Sequence, residues 1–284
     1  MKNITLIITV AFALMLTGCK GCCKDGKTEQ QTEDNPAGPS EPAPLNISIY
    51  LDLSDRITRD LTPSQMERDI AIVNMIVDKF YNRCVEDRII STKHHIKVVF
   101  NPSPDNKDID NWAKAMEVDM AKLKAPDKKV ALKAMKDNFN NALTNIYKET
   151  IDERKWVGSD IWGFFSDKKV DDLCMREGYR NILVILTDGY LYDENIKIKE
   201  GNAYSYVLPQ TLAVDGSSLI CRRKGLGDLE VLMLEVNPYN REEKDKMLPV
   251  LEDWLTNMEV GNHKIVETGL PSNTAGYIDN FFNE

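Results

Sequence analysis

The chain has 284 residues, 42% hydrophobic and 29% charged, enough for one large domain or two small ones plus a leader. Its formal net charge of −9 argues against a broad nucleic-acid surface, which would need clustered Lys and Arg. The six cysteines form no pair of Cys-x-x-Cys or His motifs at zinc-finger spacing, so they give no sign of a structural zinc site.

Residues 1–18 read as a leader outside the fold. Lys2 supplies a positive start, and Ile4 to Leu16 form an apolar run shorter than the roughly 20 residues a membrane-spanning helix needs. The run ends in Leu16-Thr17-Gly18-Cys19, which resembles the lipobox of bacterial lipoproteins. That resemblance implies acylation at Cys19 and stable membrane anchoring without a spanning helix. Lys20 is not the aspartate that retains some lipoproteins at the inner membrane, which points to the outer membrane. Residues 19–45 then shift to Lys, Gln, Glu, Asp, Gly and Pro without apolar periodicity, the composition of a disordered tether. Cys22 and Cys23 lie in it and have no assigned role.

From residue 46 to 284 the pattern alternates strands and helices. Ile47 to Leu51 is a buried-strand sequence, and it delivers Asp52, Ser54 and Asp55 into a turn. A helix over Ser64–Arg88 follows, with Thr62 and Pro63 expected to open it. Met66, Ile70, Val73, Ile76, Val77, Phe80 and Tyr81 form its apolar stripe. His95–Phe100 is a second strand. Two helical stripes follow: Trp112, Met116, Met120 and Leu123, then Val130, Leu132, Met135, Phe139, Leu143, Ile146 and Tyr147. Tyr179–Thr187 is the most hydrophobic strand, as a central parallel strand covered on both faces would be. Leu229–Val236 is a strand, Glu242–Met258 a helix, His263–Glu267 a strand and Thr274–Phe282 a closing helix.

This order specifies a doubly wound, mostly parallel α/β sheet with helices on both faces, in one domain spanning 46–284. Cys84 and Cys174 read as small core residues. His94, His95 and His263 fall beside strands without a partner motif and read as surface or strand-flanking residues. An insertion at about 190–228 contains Tyr190, Tyr192, Tyr204 and Tyr206 and reads as a hairpin or extended excursion.

Such a sheet gathers Asp52, Ser54, the Gly158-Ser159-Asp160 loop and Asp188 at the carboxyl ends of its strands. Two carboxylates and two hydroxyls, Asp52, Ser54, Ser159 and Asp188, make a hard oxygen site of the kind preferred by Mg²⁺. These residues resemble the metal-ion-dependent adhesion site of the von Willebrand factor A (VWA) domain. Asp52-Leu53-Ser54-Asp55-Arg56 matches that family's Asp-x-Ser-x-Ser except at the last position. Gly158-Ser159-Asp160-Ile161 matches its glycine loop with Ser for Thr, and Thr187-Asp188-Gly189 matches its Thr-Asp-Gly. The resemblance implies a Rossmann-like fold and a divalent cation bridging to an acidic group on a protein partner. Around the cation, Asp55, Arg56, Asp160, Tyr190 and Tyr192 would face that partner.

Arg56 departs from the pattern, because a guanidinium repels a dication. Either it turns outward and a metal binds with fewer protein ligands, or it replaces the metal by pairing with Asp52 or Asp188. The expected role is therefore a membrane-anchored, extracytoplasmic binding or adhesion domain. The alternatives are a metal-dependent phosphoesterase built on Asp52 and a structural envelope-assembly component with a vestigial site. No Gly-x-Ser-x-Gly elbow, Walker loop or dinucleotide fingerprint supports catalysis.

Overall fold

A computed structural model describes residues 42–153, 158–190, 198–200, 203–205 and 223–284. Cys19, Cys22, Cys23 and Tyr192 lie outside the described residues, as do the leader and most of the tether. Pro42–Glu284 forms one compact unit.

The centre is a six-stranded sheet in the order β3-β2-β1-β4-β7-β8. Its strands are β1 (Leu45–Leu51), β2 (His95–Val99), β3 (Val118–Asp119), β4 (Arg180–Leu186), β7 (Leu229–Val236) and β8 (Asn262–Glu267). All neighbours pair in parallel except β2 and β3, which are antiparallel. The doubly wound expectation holds. β5 (Ile198–Glu200) and β6 (Ala203–Ser205) form a separate antiparallel pair.

The two faces of the sheet bury different residues, as a period of two requires. Ile47, Ile49 and Leu51 of β1, with Ile182, Val184 and Leu186 of β4, join one core. That core holds the buried faces of α1 (Gln65–Glu86), α2 (Lys107–Ala115), α3 (Ala125–Glu153) and α7 (Pro271–Asn283). Tyr50, Leu183, Ile185, Val231 and Met233 face the other core, with α4 (Ile161–Ser166), α5 (Lys169–Cys174) and α6 (Arg241–Asn257). β4 is buried on both faces, which explains its unbroken hydrophobic run. Cys84 and Cys174 are buried, as expected.

Four local expectations need correction. Helix α1 is capped by Ser64, not Thr62: the Ser64 hydroxyl accepts from Glu67 N, and Glu67 Oε2 accepts from Ser64 N at 2.9 Å. This reciprocal capping box satisfies two donors that the helix end would otherwise leave open. Trp112 to Leu123 is not one helix, because α2 ends at Ala115 and Val118–Asp119 leaves as an edge strand to pair with β2. Val130 is exposed rather than part of the α3 stripe, which Leu132, Met135, Phe139, Leu143, Ile146 and Tyr147 form. Finally, His94 and His95 are buried. The ring of His94 accepts from Leu45 N at 2.8 Å through Nδ1 and meets Asp87 Oδ2 at 2.9 Å through Nε2.

Two substitutions test this account by urea denaturation. Ser64→Ala removes the cap and is expected to cost about 1 kcal/mol. Leu183→Ala opens a cavity in the doubly covered strand and should cost about 2–5 kcal/mol.

Candidate functional site

Strands β1 and β4 run side by side, with Leu51 opposite Leu186, so Asp52 and Asp188 leave adjacent strand ends. Asp52 N donates to Leu186 O at 3.1 Å, continuing the ladder past the last strand residue. The Asp52 carboxylate is fixed at both oxygens: Oδ1 accepts from Ser54 N at 2.9 Å, and Oδ2 accepts from the Thr187 hydroxyl at 2.7 Å. The Thr187 oxygen in turn accepts from Gly189 N at 3.1 Å. Gly189 adopts a φ of +94°, and a Cβ there would lie 2.8 Å from Met247 Sδ, so this turn requires glycine.

The glycine loop joins them through an isolated bridge between Leu53 and Gly158. The Tyr50 hydroxyl donates its single proton to Asn101 O at 2.7 Å. Ser159 Oγ, 3.0 Å from the Tyr50 oxygen, is then the donor of that contact and keeps its lone pairs for another ligand. Asp160 N donates to Asn101 O at 2.8 Å, and its Oδ1 caps α4 by accepting from Gly163 N at 2.6 Å. That carboxylate oxygen is already committed within the fold.

Arg56 does not turn outward; it pairs with Asp52, as the second expected course had it, although Asp69 is its nearer carboxylate. It turns inward and is only 1% exposed. Its Nη2 donates to Asp69 Oδ2 at 2.7 Å and to Leu186 O at 3.0 Å, and its Nε donates to Asp52 O at 3.0 Å. The Asp52 carboxylate is farther, with Oδ2 at 3.8 Å. Asp69 also accepts from the Tyr147 hydroxyl and from Gln65 Nε2 at 2.8 Å. Beside this group, Arg68 Nε donates to buried Glu235 at 2.7 Å.

The guanidinium at the mouth is Arg59 instead. Its Nη2 lies 3.0 Å from Asp188 Oδ2, its Nη1 donates to Asn237 O, and its plane sits 4.0 Å from the Tyr239 ring centroid. Tyr239 is 56% exposed. Tyr190 packs beside it, donating its hydroxyl to Glu243 and accepting from Tyr239 N at 2.9 Å. Asp55 is exposed at the start of a short 3-10 turn, Asp55–Thr58.

Burial pushes the Asp188 carboxyl up, the Asp52 charge pushes it further, and Arg59 and Arg56 pull it back, leaving it at about 7. The donor set fits a hard divalent cation in chemistry: Ser159 has lone pairs to offer, and Asp188 carries charge that Arg59 only partly offsets. Arg59 competes for the same carboxylate. The fold thus brings Asp52, Ser54, Ser159 and Asp188 to one edge, while Arg56 and Asp160 are occupied internally.

Sequence reasoning missed Arg59, Asp69, Tyr147, Glu235 and Tyr239. One signal was present, because Asp69 sits one turn before Val73 on the apolar stripe of α1 and needs a buried cation there. Glu235, inside a hydrophobic strand, is a second such signal. Arg59 and Tyr239 carried none.

No known family model matches the chain, and no curated protein sequence does. Among solved structures it is similar to an aerotolerance-related membrane protein from Bacteroides fragilis (12% identity, TM-score 0.37, covering 84% of this chain and 98% of that one). It is also similar to the conserved hypothetical protein BatB from Bacteroides thetaiotaomicron (14%, 0.36, 84% and 100%). A third is the pilus adhesin SpaC from Lactobacillus rhamnosus GG (11%, 0.43, 86% and 30%). At such scores none of these likenesses bears on what this chain binds.

Two outcomes are expected. Arg56→Ala strands a buried carboxylate and should cost about 3–5 kcal/mol, whereas Arg56→Met with Asp69→Leu together should cost less than the two singles summed. The raised Asp188 carboxyl binds a proton more tightly folded than unfolded, so its contribution is full below about pH 4, the unfolded carboxylate value, and is lost as pH rises through about 7. Unfolding curves at pH 5 and pH 8 should show this loss, and Asp188→Asn should remove it.

Proposed function

We propose that this chain is a VWA-like binding domain, anchored by lipid at Cys19 to the cell envelope, on the outer membrane. It recognises a protein partner at the carboxyl edge of its sheet. The observation that carries the reading is the Arg59 guanidinium held between Asp188 and the exposed ring of Tyr239. Arginine and tyrosine are the residues that binding hot spots favour. The lipobox-like tetrapeptide and the polar tether support a location off a membrane surface.

Asp52, Ser54, Ser159 and Asp188 are the residues that would hold a divalent cation, with Asp188 exchanged from Arg59. Such a cation supplies positive charge to which an acidic group on the partner binds. Arg59 keeps Asp188 charge-balanced until then. Asp55, exposed beside the turn, and Tyr239 line the approach. Ser54 N and the Thr187 hydroxyl each occupy one lone pair of the Asp52 carboxylate, which leaves a lone pair on each oxygen for a cation.

The test is thermal unfolding of the full chain at pH 8 with EDTA, then with excess Mg²⁺ or Mn²⁺. A ligand that binds only the folded state raises stability by about 2.7 kcal/mol at a hundredfold excess over its dissociation constant. The expected result is a cation-dependent rise, lost in Asp188→Ala and reached at lower cation concentration in Arg59→Ala. No rise in either the wild type or Arg59→Ala would sink the metal-bridged form of this proposal.

A further inference from the structure

At the other end of the sheet a polar row crosses adjoining strands. Asn181 of β4 pairs with Asn46 of β1, Asn46 with His95 of β2, and His95 with Asp119 of β3. All four are buried, His95 at 0% exposure. A polar row through a sheet interior needs every donor matched to an acceptor, and that requirement fixes the direction of each bond.

Asn181 Oδ1 accepts from Arg176 N at 2.8 Å, which sets its amide orientation. Asn46 Nδ2 then donates to Asn181 Oδ1 and to Cys174 O, both at 2.8 Å. With its nitrogen so occupied, Asn46 turns its carbonyl oxygen toward His95 Nδ1 at 2.7 Å. An acceptor there requires the ring proton on Nδ1. The neutral ring therefore presents the Nε2 lone pair to Glu117 Oε1, 3.3 Å away. The ring thus turns an acceptor toward the half-exposed Glu117 carboxylate, an arrangement that a shared cation would satisfy.

Strand geometry completes the group. Asp119 lies opposite His95 and so projects to the same side of the sheet, and Glu117, just before β3, comes within 3.3 Å of His95 Nε2. One ligand atom from each of His95, Glu117 and Asp119 lies within 4.8 Å of the others. We propose that His95, Glu117 and Asp119 bind a divalent transition-metal ion, with Zn²⁺ the best match to one imidazole nitrogen and two carboxylate oxygens.

Water would fill the fourth position of such a site. Asn46 takes the part of the outer-shell acceptor that holds a metal-binding imidazole in one tautomer. Asp119 Oδ2 is shared with Arg176 at 2.9 Å and Lys122 at 3.3 Å, and Oδ1 accepts from Ala121 N at 3.1 Å. A carboxylate offers about four lone-pair positions, so these contacts leave room for an ion. Lys122 is 72% exposed and free to turn away. A bound ion would clamp the two-residue edge strand β3 to β2. At about 3.3 Å per strand residue, Asn46 and Asp52 place this site about 20 Å from the carboxyl edge.

The experiment is a calorimetric Zn²⁺ titration of the EDTA-treated full chain carrying Cys19→Ser, Cys22→Ser, Cys23→Ser and Cys221→Ser, which leaves only the buried thiols of Cys84 and Cys174. With excess Mg²⁺ present to occupy the carboxyl edge, one equivalent of Zn²⁺ should bind and raise the unfolding temperature. Glu117→Gln changes a half-exposed side chain without disturbing the core, so it should unfold like its parent without zinc yet bind zinc at least about tenfold more weakly. Asp188→Ala should bind zinc like its parent, which separates this site from the carboxyl edge. Absence of stoichiometric binding, parental affinity in Glu117→Gln, or loss in Asp188→Ala would each overturn the proposal.

Discussion

The carboxyl edge of this sheet rests on one buried ion pair, Arg56 with Asp69. The guanidinium also binds Asp52 O and Leu186 O, so it ties the ends of β1 and β4 to each other and to α1. Through Asp69 the tie extends to Tyr147 of α3. The Nη2 and Nε of Arg56 are matched in this way, while its Nη1 has no hydrogen-bond partner among the described residues. The chain path after β1 follows from this: it folds back as a tight 3-10 turn that carries Arg56 under the sheet edge.

That placement decides the electrostatics above it. The internal cation offsets Asp69, which leaves Asp52 and Asp188 facing the mouth with less compensation. Thr187 and Ser54 N hydrogen-bond to the two Asp52 oxygens, and Arg56 Nε lies 3.8 Å from Oδ2. Asp188 retains a carboxyl near 7 and holds Arg59 at its Oδ2. The mouth thus contains its own counter-ion, in a pair that is largely out of water, with Arg59 at 15% and Asp188 at 10% side-chain exposure.

The two ends of the sheet solve the same problem differently. At the carboxyl edge, buried charge is met by arginines from the turn after β1. At the amino end, Asn181, Asn46 and His95 pass hydrogen bonds sideways across the strands, and the row terminates on the carboxylates of Glu117 and Asp119. Both constructions leave the apolar layers above and below the sheet uninterrupted, since the polar groups sit at strand ends or in a single register row.

The amino-acid sequence by itself determined the doubly wound architecture, because apolar periodicities of two and 3.6 mark strands and helices locally. It likewise placed Asp52, Ser54, Ser159 and Asp188 at one edge, since parallel strands joined by crossovers must end on the same side. It could not place Arg56, Arg59 or His95. Whether Arg56 turns in or out depends on Asp69 and Tyr147, 13 and 91 residues downstream in sequence. Arg59 finds Asp188 and Tyr239, and His95 finds Asn46 and Asp119, only after the sheet has closed. Local pattern fixes which face a residue occupies; long, flexible or polar side chains take their partners from distant segments, and only the tertiary structure decides among them.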